Sequence, residues 1–351
     1  MMSSHKYRLI RFGFDALHRT RLYRIAEPFT RGRGVILTLH HVRPRVEKAF
    51  APCELLEITP EFLDATITTL LAKGYQIIPL SEVPTRLRRP EAPPFAVLTF
   101  DDGYRDNAVH AAPVLKRHGV PFTVFVTSGF AERAANLWWL DLEKIVAKAD
   151  RIHCRIAATE LDLRAVTVEQ KRAAFIAIYW TLRRASEAEL QSVMRGLCAA
   201  HGVDPAATVG ELCMSWSEIA AFSADTGAAI GAHTLTHPML ATMDAIRMRG
   251  EIIESRQAID AALKLRVSTF AYPFGDSAAA GPREFDTVRQ AGFDIAVTTR
   301  PGLVFDGHLG HLTALPRMSV NGMFQRISDL DVLLSGLPFA AFNRGQKLNV
   351  A

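Results

Sequence analysis

From residue 34 onward the chain alternates short, almost wholly apolar runs with longer stretches of helical period. GVILTLHHV (34–42) reads as a buried strand. In PEFLDATITTLLAKG (60–74), Leu63, Ile67, Leu70 and Leu71 fall on one helical face, and Gly74 supplies a stop signal. YQIIPL (75–80) and FAVLTF (95–100) read as the next strands, and 104–119 as a helix closed by Gly119. PFTVFVTS (121–128) follows, then AAIGAH (228–233), VSTFAYPF (267–274) and DIAVTT (294–299), with helices around 242–265 and 283–291 between them. LTALPR (312–317) reads as the last strand. Nearly continuous apolar strands alternating with helices imply a parallel sheet covered on both faces or closed into a barrel.

Three stretches depart from this rhythm. Residues 1–33 carry Lys6, Arg8, Arg11, Arg19, Arg21, Arg24, Arg31 and Arg33 against only Asp15 and Glu27. Ile10, Phe14, Leu17 and Leu22 share one side of a helix there. Such a basic amphipathic segment either packs across the outside of the main domain or lies on an anionic membrane. Residues 131–213 are rich in Ala, Arg and Glu and read as about three helices inserted into the α/β unit. Residues 331–351 read as a C-terminal tail, which leaves 34–330 as the main domain.

Composition narrows the picture modestly. Of 351 residues 49% are hydrophobic and 22% charged, which suits a full core and excludes a wholly disordered chain. The formal charge of +5 leans toward an acidic partner, and no nucleic acid is expected. Cys53, Cys154, Cys198 and Cys213 form no CxxC pair and read as free thiols in a reducing compartment. No apolar run is long enough to span a membrane, and the first 25 residues lack the apolar stretch of a secretory signal. A cytoplasmic protein, peripheral at the inner face of the membrane at most, is expected.

Candidate chemistry sits at strand ends. In LTFDDGYRDN (98–107) an apolar strand runs into Asp101 and Asp102, and Gly103 permits a sharp turn. Adjacent carboxylates repel and need a cation or a proton to coexist. The bland alternative is a solvated turn with an Asp helix cap. In AAIGAHTLTHP (228–238), His233 and His237 are four residues apart at the end of another strand. Two His with one carboxylate make a complete ligand set that leaves positions open for water and substrate. FAYPFG (270–275) ends a third strand in a rigid turn able to aim a backbone N–H at an oxyanion. Trp138 and Trp139 open the inserted stretch; they either pack its core or stack on a sugar face.

The order TFDDG, HTLTH and strand-end PFG resembles the polysaccharide deacetylases of carbohydrate esterase family 4, which include the nodulation-type chitooligosaccharide deacetylases. ILTLHHV, the stretch 58–83 and MSWSEIAAF agree, so the resemblance runs from about 34 to 320 around the insertion. It implies a distorted (β/α) barrel of about seven parallel strands with a helical insertion. It also implies Asp102, His233 and His237 as ligands of a divalent metal, usually Zn2+, with Asp101 as the catalytic base. The Phe274 backbone N–H takes the place of the family's oxyanion contact. The implied reaction removes an N-acyl group, N-acetyl first, from an amino sugar in a glycan or glycan precursor. A sugar carried on a polyprenyl phosphate at the cytoplasmic membrane face is the alternative substrate.

The sequence also departs from the family. Ala271 stands where an Arg is usual, an Asp–Trp motif is missing around DIAVTTRPG, and the late Leu-x-His that supplies the general acid has no clean counterpart. His311, ahead of LTALPR, is the first candidate for that acid, His308 the second, and His40 or His41 the reserve. Two other classes compete. A silent glycan-binding relative would need no Asp101 beside the ligands. A non-haem iron oxygenase shares the ligand set but sits on a jelly-roll rather than on alternating strands and helices.

Overall fold

The computed structural model describes residues 4–350, so residues 1–3 of the basic segment and residue 351 of the expected tail lie outside it. Seven strands form the barrel: β1 (Gly34–Leu39), β2 (Phe95–Phe100), β3 (Phe122–Val126), β4 (Ala229–Ala232), β5 (Thr269–Ala271), β6 (Ile295–Pro301) and β7 (Leu315–Ser319). Each pairs in parallel with its sequence neighbours, and β7 and β2 both pair with β1, closing the ring. Helices Pro60–Ala72, Ala112–His118, Trp216–Thr226, Ala245–Leu263 and Pro282–Gln290 connect the strands around the outside. The expected fold class is therefore the observed one.

YQIIPL is not a barrel strand. Because β1 pairs with β2 over all six positions, only Gln76–Ile77 adds to the sheet, beside the start of β2. The seventh position belongs to β7, the segment read as the last strand.

Strand alternation divides the core. Ile36, Val97, Phe125, Ala271, Val297 and Leu315 fill the lower interior of the barrel. Val35, Leu37, Leu98, Val124 and Ala296 point outward under the helices. The same two-residue period carries the inward register up to His40, Asp101, His233, Thr299, Arg317 and Ser319 at the C-terminal mouth, where side chains of such barrels converge on one site.

The inserted stretch holds helices but also a hairpin. Strands Arg151–Ile156 and Thr159–Arg164 pair antiparallel, burying Ile152, Cys154 and Ile156 on one side. Arg151, His153 and Arg155 alternate with these buried residues as a strand requires, but the run is only six residues long and lies among helix-forming neighbours. The hairpin and four helices, Trp138–Lys148, Val168–Leu182, Glu187–His201 and Pro205–Leu212, share one hydrophobic core capping the barrel mouth.

At the N-terminus, α1 (Ser4–Thr20) and α2 (Leu22–Thr30) pack Phe14 and Tyr23 against Val332. The segment read as a tail begins inside α3 (Ile327–Leu334) and continues into α4 (Leu337–Phe342). Among the described residues no helix is long and apolar enough to cross a membrane.

Candidate active site

The β2 strand ends at Phe100, and Asp101 and Asp102 are both buried. Alternation aims Asp101 inward and would send Asp102 outward. A left-handed turn at Asp102, with φ of 72°, brings the second carboxylate back over the mouth. From β4 arrive His233 and His237. Ligand atoms of Asp102, His233 and His237 lie within 4.8 Å of one another, and each Nε2 stands 3.4 Å from Asp102 Oδ1.

These three residues fit a divalent cation. Asp102 Oδ1 is buried with no hydrogen-bond partner. His233 Nδ1 sits 2.7 Å from the Ala271 carbonyl, which can only accept; the proton is therefore on Nδ1 and the Nε2 lone pair faces the cluster. Burial pushes the His237 imidazole down to about 3, so it is neutral and able to ligate at ordinary pH. Burial opposes the charge on Asp102, but the close approach of the His233 and His237 imidazoles holds its pKa well below the usual range.

The loop between the two histidines is held from several sides. Glu251, on helix Ala245–Leu263, accepts from the N–H groups of Leu235 (2.9 Å) and Thr236 (2.8 Å) and from the Thr236 hydroxyl (2.6 Å). Thr234 Oγ1 accepts from the His237 N–H at 3.0 Å. Gly129 donates to the Leu235 carbonyl, and a Cβ there would stand 2.6 Å from that oxygen. This bracing keeps Thr234 and His237 at positive φ, 64° and 63°, where side-chain-bearing residues are strained.

Asp101 is placed differently. Arg317 on β7 grips it with two bonds, Nη1 to Oδ1 at 2.8 Å and Nη2 to Oδ2 at 2.7 Å. Arg317 is itself anchored on the Thr298 carbonyl and the Thr99 hydroxyl. Burial alone would raise the Asp101 pKa; the guanidinium and His233 outweigh it and keep the carboxylate ionised. Arg317 escaped the sequence reading. Its signal was an arginine at an inward position of an otherwise apolar strand, together with the missing arginine at Ala271. Such an arginine needs a carboxylate at the same level of the barrel, and Asp101 meets that requirement.

One cavity of about 310 Å³ joins these groups. Its wall includes His40, Asp101, Asp102, His233, His237 and Phe274. Phe274 also has positive φ, 59°, and its carbonyl accepts from the Thr299 hydroxyl. The insertion contributes Trp139, Tyr179 and Arg183 to the wall. Arg183 lies over the Phe274 ring at 4.5 Å and bonds Asp276 at 3.1 Å. Trp139 faces the cavity 4.8 Å from the His237 ring, whereas Trp138 stacks on Tyr179 within the insertion. Cys53 lines the cavity too, and all four cysteines are free and buried.

The structure does not bring His311 to this cavity. The chain descends after β6 and re-enters at the start of β7, so residues 302–314 lie at the opposite, N-terminal end of the barrel. His311 lines a separate hollow with Phe285 and Arg289. His308 is buried there, its Nδ1 accepting from the Phe305 N–H at 3.0 Å. His41 also misses the cavity wall; it bonds Asp106 at 2.6 Å and stacks on Tyr104. Of the four candidate histidines, His40 alone lines the cavity, and burial lowers its pKa.

Comparison with known proteins bears on the fold and the family. The family model for polysaccharide deacetylases matches residues 88–189 and 200–296. YxkH of Bacillus subtilis (strain 168), which carries a polysaccharide deacetylase name, is 34% identical over 73 residues, 20% of this chain and 26% of that protein. The match thus spans about a quarter of that relative's length. Among solved structures, the Streptococcus pyogenes deacetylase PplD, determined with acetate, superposes with a TM-score of 0.55. The match covers 86% of this chain and 96% of that one at 17% identity. IcaB from Ammonifex degensii gives 0.52, covering 87% and 97%, also at 17% identity. These likenesses place the fold, and the family match spans more than half of the sequence. The chain belongs to the polysaccharide deacetylase family.

Proposed function

We propose that the protein hydrolyses an N-acyl group, most simply N-acetyl, from an amino sugar in a glycan or glycan precursor, and that the reaction depends on a divalent metal, Zn2+ by the chemistry of the ligands. The observation that carries this reading is the meeting, in one cavity, of a buried Asp–His–His cluster and an arginine-held carboxylate. A cation held by Asp102, His233 and His237 would supply Lewis-acid polarisation of the acyl oxygen and a lowered water pKa.

The chain's own residues account for the remaining work. Asp101, ionised and held by Arg317, takes the proton from the attacking water. The Phe274 backbone N–H is the donor assigned to the developing oxyanion. His40 replaces His311 as the group that delivers a proton to the leaving nitrogen, because His40 lines the cavity and His311 does not. Water oxygen bonds to the acyl carbon, the C–N bond breaks, and the products are a carboxylate and a free amine. Trp139 and Tyr179 give the cavity an aromatic wall against which the sugar can pack.

The test is acetate release from N-acetylated oligosaccharides. Asp101→Asn should retain metal and lose about 10²–10⁴-fold in rate. A metal-loaded Asp101→Asn protein turning over at the wild-type rate would remove Asp101 from this role.

A second reading keeps the chemistry and changes the substrate to a lipid-linked sugar at the cytoplasmic membrane face. Leu22, Ile25 and Phe29 form an exposed apolar stripe on α2, and Leu9 and Phe12 are exposed on α1. Exposed Arg8, Arg11, Arg19, Arg21 and Arg24 accompany them. Apolar side chains among arginines suit peripheral contact with an anionic bilayer. Flotation with phosphatidylglycerol vesicles should carry the wild type and leave a Phe12→Ser, Ile25→Ser, Phe29→Ser variant behind. Equal flotation of both would defeat the contact.

A further inference from the structure

A second cavity, of about 420 Å³, lies against the catalytic one. Its sides are Ile10, Phe14 and Leu17 from α1 and Phe324, Phe339 and Phe342 from the C-terminal region. Its inner wall includes Thr299 and Ser319, which also line the catalytic cavity, and Arg317, the partner of Asp101. The two cavities therefore adjoin across a shared wall at the C-terminal ends of β6 and β7. At that junction the wall is polar, and away from it the wall is almost wholly apolar. Phe342 both lines the groove and is 70% exposed, so the far end opens to solvent.

Gly13 adds an independent observation. It lies inside α1, where glycine disfavours the helix relative to alanine. A Cβ on Gly13 would meet nothing within 4 Å. The protein's own packing does not require a glycine there, yet Gly13 lines the groove and leaves it open.

We infer that this groove holds the hydrocarbon chain of a lipid-linked amino sugar whose N-acylated ring occupies the catalytic cavity. The inference rests on the lipid-linked reading above and locates where the lipid goes. The contiguous walls orient such a molecule. Its polar end meets Thr299 and Ser319 beside the base, and its chain runs between α1 and α4 toward Phe342. The exposed arginines of α1 and α2 complement the anionic membrane that would supply such a molecule.

Binding of the fluorescent 18-carbon cis-parinaric acid to the full-length protein tests the groove directly, with farnesyl phosphate and inorganic phosphate as competitors. The wild type should bind the probe, and farnesyl phosphate but not inorganic phosphate should displace it. Gly13→Phe fills the groove and Phe342→Asp charges its exposed mouth; each should weaken binding at least tenfold with an unchanged circular dichroism spectrum. Absence of binding to the wild type, or binding within twofold of it in both variants, would overturn the inference. So would a wild-type dimer that Gly13→Phe converts to a monomer without any lipid affinity, which would make the groove a contact between two copies. Acetate release from a water-soluble substrate reports on the deacylase reading separately. Release combined with unaltered probe binding in both variants would remove the groove and leave the catalytic reading standing.

Discussion

Asp101 and Asp102 are neighbours in sequence and buried together, yet their surroundings separate their roles. Asp102 faces two imidazoles and keeps an unpartnered oxygen, as a ligand would. Asp101 faces a guanidinium and the cavity, as a base would. The charge of Arg317 is what offsets burial at Asp101. Arg317→Met should therefore raise the Asp101 pKa. A base acts in its ionised form, so the acidic limb of the pH–rate profile should move to higher pH and the rate near neutrality should fall. His40→Ala should remove the basic limb in the same profile, because the proton donor acts in its protonated form; burial lowers the His40 pKa, so that limb falls below the ordinary histidine range. His311→Ala should leave both limbs in place. A profile unchanged in Arg317→Met and His40→Ala, or altered in His311→Ala, would reassign these roles.

At the scale of elements, the HTLTH loop shows how strained ligand positions are held. Glu251 accepts three hydrogen bonds from it, two from backbone N–H groups and one from the Thr236 hydroxyl. Glu251→Ala should cost on the order of 1–3 kcal/mol for the donors left unpaired. Zinc affinity should fall about tenfold or more, since loop order sets ligand geometry. Thermal melting with and without zinc, together with a zinc titration, checks both effects. The variant matching wild type in each would show that the loop holds itself. The strand ends and their motifs were legible in sequence because inward residues follow a fixed two-residue period and their chemistry is local. Glu251, Arg317 and the misplaced His311 were not legible, because each depends on pairing between distant segments. Arg317 reaches Asp101 only because β7 closes the barrel onto β1. His311 fails because a loop entering β7 must start from the wrong end. The hairpin at 151–164 was hidden for another reason: its burial rests on a core made by helices around it.

In the whole molecule, three layers meet over the barrel mouth. The barrel supplies the charged inner ring, and the insertion supplies the aromatic wall with Trp139 and Tyr179. The N- and C-terminal helices supply the apolar groove. On the proposed reading, together they form a pocket for an amphiphile with one hydrolysable bond at its centre. The central claim is that this pocket cleaves an N-acyl bond with the help of a metal held by Asp102, His233 and His237. The rate of acetate release from N-acetylated oligosaccharides and lipid-linked N-acetyl sugars, before chelation, after chelation and after adding back Zn2+, tests it most directly. The account predicts release of one acetate per amine formed, loss of at least 90% of the rate (about tenfold or more) on chelation, and recovery with Zn2+ in the wild type but not in His233→Ala or His237→Ala. Release that persists undiminished after chelation, or recovers equally in those two variants, would contradict it.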